Sequence, residues 1–227
     1  VDNFTARSLD RDLMLRQLRD CDPTLRMRAA RAFCDITEPR AVEALVELLQ
    51  DACPLTRVSA AYALGRNTSS RVVEPLVEAL DRDWNGYVRK GAVWALGNAK
   101  DRRALSAVSQ ALRQDISAVR LWAASALGQI GSPAAIAPLA AGMRGDPVAA
   151  VRSNCAWALG QLLPTVSDGE RAEQSGESHY QDALAALIAA MTEDADEGVR
   201  DDARVALEKL GDPLGLAAIA DWQDEHY

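Results

Sequence analysis

The sequence predicts an all-α protein, a right-handed α-solenoid of about six helix pairs. Three observations carry this. The first is a recurring motif, seen as YVRKGAVWALG at Tyr87–Gly97 and again as LRMRAARAF (Leu25–Phe33), TRVSAAYALG (Thr56–Gly65), VRLWAASALG (Val119–Gly128), VRSNCAWALG (Val151–Gly160) and VRDDARVAL (Val199–Leu207). The second is spacing: the motif arginines Arg26, Arg57, Arg89, Arg120, Arg152 and Arg200 are separated by 31, 32, 31, 32 and 48 residues. The third is apolar residues three and four apart in every segment, the helical period rather than the strand period of two.

Ser8–Arg19 reads as an opening helix with Ser8 as its cap and Leu9, Leu13 and Leu18 as its stripe. Two helices per repeat follow. The helix with the arginine motif is termed B and the next one A. The A helices are expected at Arg40–Leu49, Arg71–Leu80, Arg102–Leu112, Ala134–Met143, Tyr180–Met191 and Leu214–Trp222. Pro39, Pro133 and Pro213 fall in B-to-A turns, and Gly131 and Gly211 are placed to stop helices. Asp22, Asp83, Asp115, Asp146 and Asp194 precede B helices and are expected to accept from their free N–H groups. The 48-residue spacing reflects an insertion of about 16 residues, PTVSDGERAEQSGES at Pro164–Ser178, polar and without a helical stripe. The chain is thus expected to be one domain: a cap at 8–20, regular repeats at 21–164, the insertion at 165–179 and an acidic capping repeat at 180–227.

The 227 residues are 48% apolar, enough for a substantial core, and no apolar run approaches the length of a membrane span. The first ten residues, VDNFTARSLD, lack the apolar core of a secretory signal, so a cytoplasmic location is expected. Net charge is −8, with 16 acids against 4 bases in residues 165–227 and 17 against 21 before them. This balance argues against nucleic acid as partner and suggests an electrostatically oriented protein, or a solvated acidic cap. Cys21, Cys34, Cys53 and Cys155 form no C-x-x-C pair and there are two histidines, His179 and His226, so no metal site is expected; the cysteines read as small buried hydrophobes. No phosphate loop, nucleophile elbow or histidine–nucleophile pairing is present, so no catalytic residue is assigned.

With the arginine's direction on helix B set to zero, positions −1, +3, +7 and +10 form the core stripe. The arginine lies at its edge, facing the next repeat, and a ladder from each arginine to a neighbouring aspartate is expected. Small residues at +3, +4 and +6 let adjacent layers approach. This skeleton, followed by Gly-Ser-Pro or Gly-Asp-Pro and then helix A, resembles the HEAT-like repeat of the cyanobacterial phycobilin lyase E/F-type family, over roughly residues 20–220. ALGQIGSPAAIAPL at Ala126–Leu139 carries the resemblance best.

Opposite the core stripe lie +1 and +5, on the face that lines the concave side of a two-helix solenoid. The +5 series is Arg31, Tyr62, Trp94, Ser125, Trp157 and Val205, three of them aromatic in a chain with 5% aromatics. Trp122 flanks this face, and Trp84 and Tyr87 in the turn before their B helix border it. Arg89, Asn98, Gln129 and Gln161 add polar groups. Either these rings form a recognition groove for a partner protein or they fill gaps between repeats. Two functions follow. One is a non-enzymatic scaffold or assembly factor that binds another protein in the groove and needs no cofactor. The other, implied by the resemblance, is a phycobilin lyase or bilin-chaperone subunit working on phycobiliproteins, or paired with a second HEAT-like subunit. There Trp94, Trp122 and Trp157 would stack a bilin and Arg89 would hold its propionates.

Overall fold

The computed structural model describes residues 2–165 and 177–226, with side chains for 10–165 and 179–224. These residues form thirteen α-helices and no strand. They are α1 (Asp2–Gln17), α2 (Pro23–Ala32), α3 (Val42–Leu48), α4 (Pro54–Arg66), α5 (Val73–Arg82), α6 (Gly86–Ala99), α7 (Leu105–Gln114), α8 (Ser117–Ile130), α9 (Ile136–Gly145), α10 (Ala149–Leu162), α11 (Glu177–Glu193), α12 (Glu197–Leu210) and α13 (Pro213–His226). After α1, even numbers are B helices and odd numbers A helices, six pairs in all.

The chain divides into two compact units, Val1–Ala107 and Val108–Tyr227, the division falling inside α7. In the first, α1 packs on α2, α2 on α4 and α4 on α6, while α3 and α5 cover α4 and α6. In the second, α8 packs on α10 and α10 on α12, with α9 against α10 and α11, and α13 closing on α12.

The motif explains this packing. The +7 residues Phe33, Leu64, Leu96, Leu127, Leu159 and Leu207 are fully buried, each contributing about 1.5–3 kcal/mol. The +3 residues are equally buried and are all alanine except Cys155. The +8 glycines serve close approach. A Cβ on Gly128 would stand 3.0 Å from that of Ala158, and one on Gly160 2.8 Å from that of Ala206. B helices therefore stack with almost no side chain between them at these points. Gly131 and Gly211 end α8 and α12 in the left-handed region, at φ 70° and 68°. Lys100 does the same after α6 at φ 52°.

Several expectations change. α1 begins at Asp2, so Ser8 lies inside the helix and does not cap it. The A helices following α2, α6 and α8 open with 3-10 turns, Pro39–Ala41, Arg102–Ala104 and Pro133–Ala135, which absorb Arg40, Arg102 and Ala134. Asp22 does cap α2, accepting from the Thr24 N–H. Asp83, Asp146 and Asp194 stand two residues before the true caps Asn85, Val148 and Asp196, and Asp115 one residue before Ile116. Their carboxylates accept from the N–H of these cap residues, and Asp83, Asp146 and Asp194 are ladder acceptors as well. Cys155 is buried, but Cys21 is exposed and Cys34 and Cys53 are half-buried. The 164–178 insertion lies almost wholly outside the described residues; Pro164 and Thr165 end in a 3-10 turn.

Candidate functional site

The motif arginines are the most regular polar feature. Arg57 grips Asp83 through Nε and Nη2 at 2.6 and 3.0 Å. Arg120 grips Asp146 at 2.6 and 2.9 Å, and Arg152 grips Asp194 at 2.7 Å through both nitrogens. Arg26 reaches Asp51 through Nε at 2.7 Å. The remaining arm, Nη1, donates to the carbonyl of the aspartate before its own helix: Arg57 to Asp51, Arg89 to Asp83, Arg120 to Asp115, Arg152 to Asp146 and Arg200 to Asp194, all at 2.8–2.9 Å. One turn is thus clamped by its own arginine through a carbonyl and by the preceding repeat's arginine through a carboxylate. The insertion lengthens the Arg152–Asp194 separation to 42 residues without altering the geometry.

The carboxylates of Asp83, Asp146 and Asp194 are held ionised. Burial pushes Asp83 and Asp146 up, but donors and cations outweigh it: Arg57 and the Asn85 N–H at Asp83, Arg120 and the Val148 N–H at Asp146. Both lie below the usual carboxylate range. At Asp194 the Arg152 hydrogen bonds are the largest influence and act in the same direction.

The candidate aromatic residues divide between the two units. In the first, Tyr62 and Trp94 meet with ring centroids 5.5 Å apart, tilted by 44°. Trp94 also lies over Gly65, where any Cβ would overlap the indole, and a Cβ on Gly91 would stand 3.3 Å from the Tyr62 ring. Both rings are half-buried, so Trp94 fills the space between α4 and α6 while keeping one edge in solvent. Burial pushes the Tyr62 hydroxyl up. Tyr87, seven residues before Trp94 and on the same side of α6, is 72% exposed; Trp84 is 75% exposed. The Arg57 guanidinium sits 5.7 Å from the Trp84 ring, a cation–π contact at the rim of a cleft of about 440 Å3 between the ends of α3 and α5. Asn98 ties α6 to α4, donating to the Gly65 carbonyl at 3.1 Å.

In the second unit Trp157 is 41% exposed, its edge leaning towards Gly128. Trp122 and Gln129, both half-buried, share a side of α8. Gln161 accepts from Lys209 of α12. Asn154 donates to the Leu121 carbonyl at 3.0 Å and to the Ser125 hydroxyl at 3.1 Å, an amide tie that the sequence reading passed over. Asn67 was passed over too; it accepts from the Glu38 N–H and donates to the Ile36 and Ala63 carbonyls. Among the described residues no three metal-ligating side chains converge, and no helix is long and apolar enough to cross a membrane.

This motif, its paired helices and its packing are those of HEAT repeats, and the chain belongs to that family: the HEAT-repeat model matches residues 12–93 and 73–160. No curated protein matches the sequence. Among solved structures it is similar to a designed armadillo repeat protein in complex with the peptide (KR)4, with TM-score 0.67 and 23% identity over 87% of this chain and 98% of that one. An engineered protein is similar at TM-score 0.66 and 24% identity, over 88% of this chain and 98% of its own. The complex of CpcE and CpcF of phycocyanin lyase from Nostoc sp. PCC7120 gives TM-score 0.58 and 25% identity, over 92% of each chain.

Proposed function

We propose that the chain is a non-enzymatic protein-binding HEAT-repeat scaffold or assembly factor, and that its exposed aromatic residues anchor the partner. One observation carries this reading: Trp84 stands 75% exposed on the rim of a cleft and Tyr87, three residues on, 72% exposed, in a protein whose +3 and +7 motif residues are buried. Large rings left in water are costly to solvate and lose little side-chain entropy when covered, which makes them anchors. Trp157 offers the same chemistry in the second unit. The test is site-specific photo-crosslinking from position 87 in cells of the source, with the captured protein then purified for direct titration. A single partner that binds the wild type and loses at least tenfold in affinity to Trp84→Ala/Tyr87→Ala supports the reading; equal affinity for both proteins overturns it.

A second reading rests on the similarity to the CpcE–CpcF complex over nearly the whole chain. Here the protein is a subunit of a phycobilin lyase, or a bilin chaperone, with a phycobiliprotein or a second HEAT-like subunit as partner and a bilin as substrate. Arg89 already donates to the Asp83 and Trp84 carbonyls, so this reading leans on the rings for stacking. Titration with free phycocyanobilin separates the two: a shifted, induced-dichroic absorption band favours the lyase reading, and an unchanged spectrum favours the scaffold.

A further inference from the structure

Twelve and fourteen residues after the motif arginine, in the turn that opens each A helix, the repeats carry a second pattern. The first repeat has Glu38 and Arg40 there, and the third has Asp101 and Arg103. In both, the carboxylate accepts from the arginine's N–H and from its guanidinium. Glu38 accepts from Nε and Nη2 of Arg40 at 2.9 Å, and Asp101 from those of Arg103 at 3.1 and 2.8 Å. The fourth repeat has Ser132 and Ala134, so both charges are gone, and the last has Asp212 and Leu214. Of these five repeats only the second keeps the arginine without the acid. Ser69 stands where the carboxylate would be, with Arg71 two residues on.

Ser69 still holds the turn, its Oγ accepting from the Arg71 N–H at 3.3 Å, but a hydroxyl brings no charge. Arg71 and Arg66 are exposed, and among the described residues neither guanidinium meets an acceptor. The nearby acids are taken: Glu38 is paired with Arg40 and Glu74 with Arg103. Both free arginines border a cleft of about 300 Å3 between this turn and the one before α3. Three other clefts carry carboxylates, Asp51 and Asp83, Asp146 and Asp194, or Glu74 and Asp81; this one is lined by none. Its polar lining is instead the hydroxyls of Thr37, Thr68 and Ser69. Buried Asn67 ties its two walls, accepting from the Glu38 N–H at 2.6 Å and donating to the Ile36 carbonyl at 3.2 Å, so the cleft is set before a ligand arrives.

We infer that this cleft binds a phosphate monoester. Two guanidiniums match its charge of about −1.5 to −2 near neutral pH, and with three hydroxyls they supply donors for its three terminal oxygens. A carboxylate, with one charge and two oxygens, would leave the second arginine unused. Pro39 and Val42 give the organic part of the ester an apolar wall. The phosphate takes the place that Glu38 and Asp101 hold in the neighbouring repeats, against an arginine at the opening of an A helix. The cleft shares no residue with the one beside Trp84, so the inference stands apart from the scaffold reading.

The experiment titrates the isotope-labelled full chain, at constant ionic strength, with N-acetyl-phosphoserine amide and separately with inorganic phosphate, following backbone amide resonances. Saturable shifts centred on Thr37 and residues 66–72 are expected, with a Kd of about 1 mM or tighter. Arg71→Ala and Ser69→Asp should each weaken binding at least tenfold, and Arg66→Ala several-fold. Ser69→Asp acts by giving Arg71 the internal carboxylate that Asp101 gives Arg103, and its melting curve should match or exceed the wild type. Tighter binding of the phosphoserine amide than of inorganic phosphate supports the site and assigns it to a phosphorylated side chain; equal binding supports it and assigns it to free phosphate. Shifts that stay linear through about 10 mM, or wild-type affinity in Ser69→Asp, overturn the inference. If Arg71→Ala does not fold, Ser69→Asp decides alone.

Discussion

The arginine edge and the +5 side of the B helices repeat with the same period yet follow opposite rules. Along the edge the chemistry is constant: arginine, then an aspartate of the next turn, with side chains 4–21% exposed in the pairs of Arg26, Arg57, Arg120 and Arg152. Along the +5 side the residue changes each time, from Arg31 to Tyr62, Trp94, Ser125, Trp157 and Val205, and exposure changes with it. A position that recurs with one residue and a saturated partner set is holding layers together. A position that varies while its backbone setting stays fixed is free to be used for recognition. The comparison predicts that substitutions at the edge act on stability and that substitutions among the exposed rings act on binding.

The largest expected effect is at the edge. Arg120→Ala removes two bonds to Asp146 and one to the Asp115 carbonyl, and leaves a carboxylate that is 9% exposed without its cation. Loss of about 2–4 kcal/mol is expected in denaturant unfolding. Arg120→Lys should recover only part of it, because an ammonium cannot serve a two-oxygen fork and a carbonyl in one plane. A loss below about 0.5 kcal/mol would break the comparison on its structural side.

The same edge makes the protein acid-sensitive. Asp83, Asp146 and Asp194 have folded-state values below the unfolded one, about 3.9, so their stabilisation is complete above roughly pH 5 and is lost as pH falls through the folded values. Unfolding free energy measured from pH 7 downward should fall steeply below about pH 4. In Arg120→Ala the slope should be shallower, since one of the depressed carboxylates has lost its cause. An identical slope in the two proteins would remove Asp146 from the account.

The period, helix pairing and arginine register were legible in the sequence because each is written inside one copy of the motif. What was hidden lies between copies. The acid that pairs with Arg26 is Asp51, 25 residues on, which stands six before Arg57 as Asp83 does before Arg89 but was not among the aspartates expected at the helix starts. The amides of Asn67, Asn98 and Asn154 reach carbonyls 31 to 33 residues upstream, so local spacing says nothing about them. Trp94 shows the same limit. Its neighbours in the motif are alanine and glycine, which suggest thin cover, but its cover comes from Gly65 and Tyr62 of the preceding repeat. Trp157, with Ser125 where Trp94 has Tyr62, keeps the thinner cover.

That difference gives a prediction of intermediate size. Trp94→Ala should cost about 2–3 kcal/mol, less than truncation of a fully buried ring because Trp94 is half-buried, and Trp157→Ala about 1 kcal/mol or less. Thermal melts of the two single variants check the order. Should Trp157→Ala prove the more damaging, packing against Gly128 matters more than its exposure indicates, and Trp157 leaves the set of recognition residues.

The smallest expected effect on stability is the one most telling for function. Trp84 and Tyr87 precede and open α6, and neither ring enters the core. Trp84 makes one cation–π contact with Arg57, a guanidinium whose hydrogen bonds to Asp83 and to the Asp51 and Ala52 carbonyls remain when the ring is removed. Trp84→Ala/Tyr87→Ala should therefore change unfolding free energy by no more than about 1 kcal/mol, near what surface substitutions cost. Binding responds differently. In water both rings are hydrated, and on a partner they would be covered, so the same truncation removes anchor area present only in the complex. Affinity for the crosslinked partner should fall at least tenfold, chiefly through faster dissociation, while the melting curve overlays the wild type. If stability falls by several kcal/mol instead, the rings hold the turn between α5 and α6 in place. The division between a structural edge and an exposed recognition surface then fails at the point where the two lie closest, beside Arg57.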